Sequence, residues 1–165
     1  MVEQPPRGRP SLKYELAGTG ALRAGHGHAP GSTGPRVLVV DDDPDMTRLI
    51  GVALSKVGAT SLAAYDALQG MVVAQKEQPS VIIVDLHMPA GGGLKLLEKL
   101  KASAKTAQIP VLVVTADTAS ELPRRAELLG ARGFLRKPID LTHLVEVVAP
   151  YLGVASPPDP PHAAV

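Results

Sequence analysis

The chain has no cysteine among its 165 residues. Disulfides and thiolate chemistry are therefore excluded, and a zinc site would have to be assembled from scattered histidines and carboxylates. A dominant charge of either sign is missing as well: 17 lysines and arginines face 16 aspartates and glutamates, a formal net charge of +1. No global field pulls the surface toward nucleic acid or an anionic membrane, so a partner has to be selected locally. Apolar runs are only a few residues long, against the roughly 20 that a membrane-crossing helix requires, and the first residues lack the apolar core of a signal peptide. These absences predict a cytoplasmic protein with no membrane insertion.

Periodicity is also absent at both ends. Residues 1–34 repeat Pro, Gly, Arg and His without a sustained apolar period, a composition too poor in burial to offset the entropy of ordering, and they are expected to form a disordered arm. Residues 153–165, with the run Ser156-Pro157-Pro158-Asp159-Pro160-Pro161, lack backbone donors for helix or sheet and are expected to be an extended, solvated tail. One folded unit over residues 35–152 remains, long enough for a single core.

Within that unit, short β-branched runs alternate with longer amphipathic segments. Val37–Val40, Thr60–Ala64, Val81–Val84, Val111–Val114 and Gly133–Leu135 read as strands; they are too short for helices and apolar enough to be covered on both faces. Between and after them come Met46–Val57, stopped by Gly58, then Ala67–Lys76, closed by Pro79. A segment with Leu94, Leu97 and Leu100 comes next, then one from near Ser120 to Gly130, and lastly Leu141–Val148, ending near Pro150. Pro123 is admissible only in a first helical turn, which sets the start of the fourth helix. Strict alternation of five strands and five helices predicts a doubly wound α/β fold around a five-stranded parallel sheet.

Polar residues cluster just past the strand ends. Asp41, Asp42 and Asp43 come after the first strand, Asp85 after the third, Thr115 after the fourth and Lys137 after the fifth. In a doubly wound sheet these carboxyl ends line one edge, where ligands bind. Carboxylates gathered there repel unless one is protonated or a cation neutralises them. Magnesium suits such a set, because it takes one or two carboxylates and keeps waters for a phosphate ligand.

The segments Val39-Val40-Asp41-Asp42-Asp43, Val84-Asp85-Leu86-His87-Met88-Pro89, Val114-Thr115-Ala116 and Arg136-Lys137-Pro138 resemble the signature segments of bacterial response-regulator receiver domains, of the single-domain, chemotaxis-regulator-like kind. The resemblance spans the folded unit and neither end. It implies a flavodoxin-like (βα)5 fold and a signalling module rather than an enzyme. Asp85 would be the phosphorylated aspartate. Asp41, Asp42, Asp85 and the backbone carbonyl of His87 would hold Mg2+, with Mn2+ as a substitute, and Thr115 and Lys137 would stabilise the phosphoryl group. Thr115 and Phe134, the chain's sole phenylalanine, would form the switch. A histidine kinase or phosphotransfer protein is implied as donor, a protein target as output, and homodimerisation through the last helices as a further contact. The side chain of His87 would lie at the rim of the site. Where the family usually shows Asp-Gly, this chain has Gly91-Gly92-Gly93, for which a flexible loop is expected, and Ile139 replaces the common aromatic after Lys-Pro.

Blander accounts compete for these residues. Asp41 to Asp43 could be no more than a turn and helix cap, a role expected of Asp43 ahead of Pro44. Asp85 could simply end a strand, Lys137 could be a surface lysine, and Phe134 could be core. Two other functions are also open. A phosphorylation-independent pseudo-receiver would bind partners only, yet such domains usually lose a pocket acid or the lysine, and this chain keeps both. Pro6-Arg7-Gly8-Arg9-Pro10 resembles the core of an AT-hook, an arm for A·T-rich minor grooves. The usual flanking basic cluster is missing, so nucleic acid is the disfavoured partner.

Overall fold

A computed structural model of the chain describes residues 34–116 and 121–153. The expected arm and tail, apart from Gly34 and Gly153, lie outside the described residues, as does the Pro6–Pro10 motif. The elements are β1 (Arg36–Val40), α1 (Pro44–Ser55), β2 (Thr60–Ala64), α2 (Ala67–Glu77), β3 (Val81–Asp85), α3 (Gly92–Ala102), β4 (Val111–Thr115), α4 (Glu121–Leu128), β5 (Gly133–Arg136) and α5 (Leu141–Leu152). All strand pairs are parallel, in the order β2-β1-β3-β4-β5. This is the predicted doubly wound sheet.

Strand parity divides the core in two. Leu38, Val40, Ile82, Val84, Val111 and Val113 face one way and meet Val73 and Ala74 of α2, Leu96, Leu97 and Leu100 of α3 and Ala126 of α4. Val37, Val39, Val81, Ile83, Leu112, Val114 and Leu135 face the other way and meet Ile50 and Leu54 of α1 with Leu144, Val148 and Leu152 of α5. Burial on both faces is why the strands read as continuous apolar runs instead of alternating ones.

Helix starts obey local chemistry. Asp43 Oδ1 accepts from the Asp45 amide at 2.9 Å, and Pro44 opens α1 where no N–H partner is needed. Asp66 caps α2 through the Gln69 amide, and Asp140 caps α5 through those of Thr142 and His143. Two expectations need correction. The last helix does not stop at Pro150 but runs through it to Leu152, closing on Gly153 at φ 67°. The glycine run is not a loop either: Pro89–Gly91 form a 3-10 turn, Gly91 takes φ 67°, and Gly92 and Gly93 begin α3.

Gly93 has a steric reason to lack a side chain. A Cβ there would overlap the Asp85 carbonyl oxygen and stand 2.7 Å from the Leu86 Cα, so α3 starts directly on the backbone that carries Asp85. Among the described residues no helix is long and apolar enough to cross a membrane. Gly93→Ala should lower the urea midpoint by the equivalent of about 1–3 kcal/mol with an unchanged slope. Gly92→Ala, whose Cβ would meet nothing nearer than the Met88 Cβ at 3.6 Å, should be neutral or slightly stabilising.

Candidate functional site

Sheet register decides what meets at the carboxyl edge. Val40 is level with Val84, Asp85 with Val114, and Thr115 with Arg136. Asp41 and Asp85 are therefore level with each other, Thr115 stands one residue further along and Lys137 two, all at the carboxyl edge of four neighbouring strands. The strand order reverses between β1 and β3, the crevice where doubly wound folds bind ligands, and Asp41 and Asp85 stand on its two sides.

The main chain continues the sheet into the site. The Asp41 amide donates to the Ala64 carbonyl at 3.1 Å, Leu86 to Val114 at 2.9 Å and Lys137 to Thr115 at 2.9 Å. Each buried carboxylate is then fixed by a backbone amide two residues ahead. Asp41 Oδ1 accepts from the Asp43 amide and Asp85 Oδ1 from the His87 amide, both at 2.9 Å. Their remaining oxygens share one donor: Lys137 Nζ lies 3.1 Å from Asp41 Oδ2 and 2.9 Å from Asp85 Oδ2. The peptide bond between Lys137 and Pro138 is cis.

Burial pushes the Asp41 carboxyl above its ordinary value; the Asp43 amide and Lys137 pull it down, while the charge of Asp85 adds to the rise. For Lys137, burial works against the charged form. The hydrogen bonds and charges of Asp85 and Asp41 together outweigh it and hold the ammonium above its usual range.

Asp42 joins the other two acids from an exposed position, and Asp41, Asp42 and Asp85 each bring one carboxylate oxygen within 4.8 Å of the others. One ammonium faces three carboxylates, so negative charge is left over. The donors are hard oxygens of the kind magnesium takes, with two of them buried and one open to solvent. These residues fit a divalent ion. The His87 imidazole does not belong to the set.

The ring of His87 is engaged elsewhere. Its Nε2 lies 3.0 Å from Thr115 Oγ1. Thr115 is buried at the end of β4, whereas Ala116 beside it is exposed. Phe134 is 39 % exposed on the edge strand β5, outside both core clusters, which sets aside its reading as core. The structure thus gathers Asp41, Asp42, Asp85 and Lys137 and joins Thr115 to His87 beside them; Phe134 stands apart on β5, three positions before Lys137. What sequence reasoning missed is the bond between residues 87 and 115, for which no spacing along the chain gives a sign.

Comparison with known proteins agrees with this geometry. Residues 37–149 match the family model of the response regulator receiver domain. PilH of Pseudomonas aeruginosa is 32 % identical over 113 residues, covering 68 % of this chain and 93 % of PilH. The transcriptional regulator RpaA of Synechocystis is 32 % identical over 111 residues, 67 % of this chain but only 46 % of RpaA. Among solved structures, Vibrio cholerae chemotaxis response regulator CheY4 superposes with a TM-score of 0.67 at 28 % identity, covering 73 % of this chain and 100 % of that one. A response regulator receiver protein from Pseudomonas putida gives 0.67 at 30 % identity, over 73 % and 99 % of the two chains. With its five-stranded fold, its acidic edge and the family match over most of its length, the chain belongs to the response regulator receiver domain family.

Proposed function

We propose that Asp85 is the phosphoacceptor of this receiver and that the phosphorylated form signals through protein contact. The carrying observation is the meeting of Asp41, Asp42 and Asp85 with Lys137 and Thr115 at one sheet edge. An Asp85 carboxylate oxygen forms the new P–O bond. The bond from phosphorus to the donor breaks, P–N for a phosphohistidine or P–O for acetyl phosphate, and the donor leaves with the electron pair. Such a transfer asks the protein mainly for positioning and for opposite charge.

Each neighbour has a part. Asp85 is held in place through Oδ1 by the His87 amide. Lys137, already beside the acceptor oxygen, offsets charge on the transferred group, and the Thr115 hydroxyl donates to a phosphoryl oxygen. Asp42, Asp41, Asp85 and the His87 carbonyl would hold Mg2+, or Mn2+ in its place; a bound ion there supplies Lewis-acid stabilisation of the phosphoryl oxygens. Inward movement of Thr115 would open volume for Phe134, and the changed face of α4, β5 and α5 would be the one a target or a second copy meets. A histidine kinase or phosphotransfer protein is the proposed donor. Retention of all three acids and the lysine speaks against a phosphorylation-independent module, and no described residue bears on an AT-hook.

Asp85→Asn should abolish magnesium-dependent labelling by acetyl phosphate, detected as a mass increase of intact protein; labelling at an undiminished rate would refute the acceptor assignment. Magnesium should raise the melting temperature by mass action, and the rise should disappear in Asp42→Asn.

Lys137→Met should also separate charge from packing. Lys137 Nζ holds two carboxylates that are nearly buried, its own side chain being 23 % exposed, so its loss should cost about 1–3 kcal/mol at pH 7. The raised pKa of Lys137 means its contribution is complete below about 10.5 and is lost as pH climbs through the folded value. The raised pKa of Asp41 means its ionisation costs stability above its unfolded value near 3.8. The deficit of the variant should accordingly shrink on acidification as Asp41 takes up its proton, and magnesium should recover part of it at neutral pH. Urea melts at pH 4 and pH 7, with and without magnesium, provide the check.

A further inference from the structure

The contact between His87 and Thr115 joins the loop after the acceptor to the residue whose hydroxyl must reach the phosphoryl group. We infer that His87 is a positioning residue that holds Thr115 in its unphosphorylated place, so that uptake of a phosphoryl group competes with this bond. The inference rests on the reading of Asp85 as acceptor and concerns how that same site is set at rest.

A threonine hydroxyl has one proton and two lone pairs. If the His87 proton is on Nδ1, Thr115 donates to Nε2 and its single proton is in use. If the proton is on Nε2, the ring donates and anchors Oγ1 at 3.0 Å without taking that proton. In both tautomers the oxygen is held by the imidazole. Thr115 is 2 % exposed, so its position is set by the protein groups around it. The His87 ring, by contrast, belongs to an exposed residue and can swing into solvent at little cost.

The arrangement is asymmetric in the way a conformational bias requires. The bond exists in the free state and is exchanged for one to the phosphoryl group in the loaded state, so removing it raises the free state alone. Its backbone is set independently: the His87 amide is tied to Asp85 Oδ1 at 2.9 Å, so loss of the imidazole leaves the acceptor held.

Beryllofluoride with magnesium serves as a phosphoryl mimic, with binding read by fluorine NMR and calorimetry on the full chain. His87→Ala should tighten beryllofluoride binding by roughly two- to tenfold, the value of one ordinary hydrogen bond. The same change in a Thr115→Val background should have no effect, because the partner hydroxyl is gone. His87→Gln, whose side-chain amide keeps a donor and an acceptor for Thr115, should restore much of the wild-type affinity. Equal effects of His87→Ala in both backgrounds would overturn the inference and assign His87 a direct influence on the bound group. Weaker binding in His87→Ala would overturn it as well. Failure of the wild type both to bind beryllofluoride and to accept label from acetyl phosphate would instead refute the phosphoacceptor reading, and the latch with it.

Discussion

Two carboxylates and one ammonium hold this protein's chemistry in tension. Asp41 and Asp85 end adjacent strands of a parallel sheet, and the register leaves them no room to diverge. Taken alone they would repel, and one would have to carry a proton. Lys137, arriving from the opposite end of the sheet order, lies within hydrogen-bond distance of both. The shared donor makes the resting site tolerable while leaving it net negative, and a net negative hollow lined by oxygen is what a divalent cation requires.

The rest of the fold serves that convergence. The two central strands, β1 and β3, are covered on both faces by apolar side chains, so the positions just beyond them are fixed by packing as well as by hydrogen bonds. Gly93 sets the first turn of α3 against the backbone of Asp85 and Leu86, and Asp43 starts α1 just beyond the acidic pair. Asp85 is thus seated where several rigid pieces meet, which suits the proposed transfer, since that depends on placement more than on covalent chemistry.

Much of this could be read from the residues. Val81-Ile82-Ile83-Val84 could only be a buried strand at its length, and the positions of Asp41, Asp85, Thr115 and Lys137 at the ends of four of the five strands foretold one edge, because parallel α/β sheets bring those ends together. Where the reading failed, local propensity was overruled by packing. Three glycines in a row signal flexibility in an isolated chain, yet Gly93 is required for close approach and Gly92 simply continues the helix. Pro150 signals a stop, but in a last turn a proline sacrifices only one backbone bond, and Leu152, buried against the core, rewards two more residues of helix. Phe134 was open between core and switch because period-two alternation on an edge strand does not say which face is covered. The pairing of His87 with Thr115 depends on the rotamer of one exposed ring, and nothing in a one-dimensional pattern encodes that.

Phe134 and Lys137 belong to the same short chain segment, at and just past a four-residue edge strand that, among the described residues, pairs only with β4. The ammonium beside Asp85 and the exposed aromatic ring are therefore borne by one short stretch of backbone. A shift of that segment would carry the ammonium beside the acid pocket and the exposed ring together, since only three positions separate them.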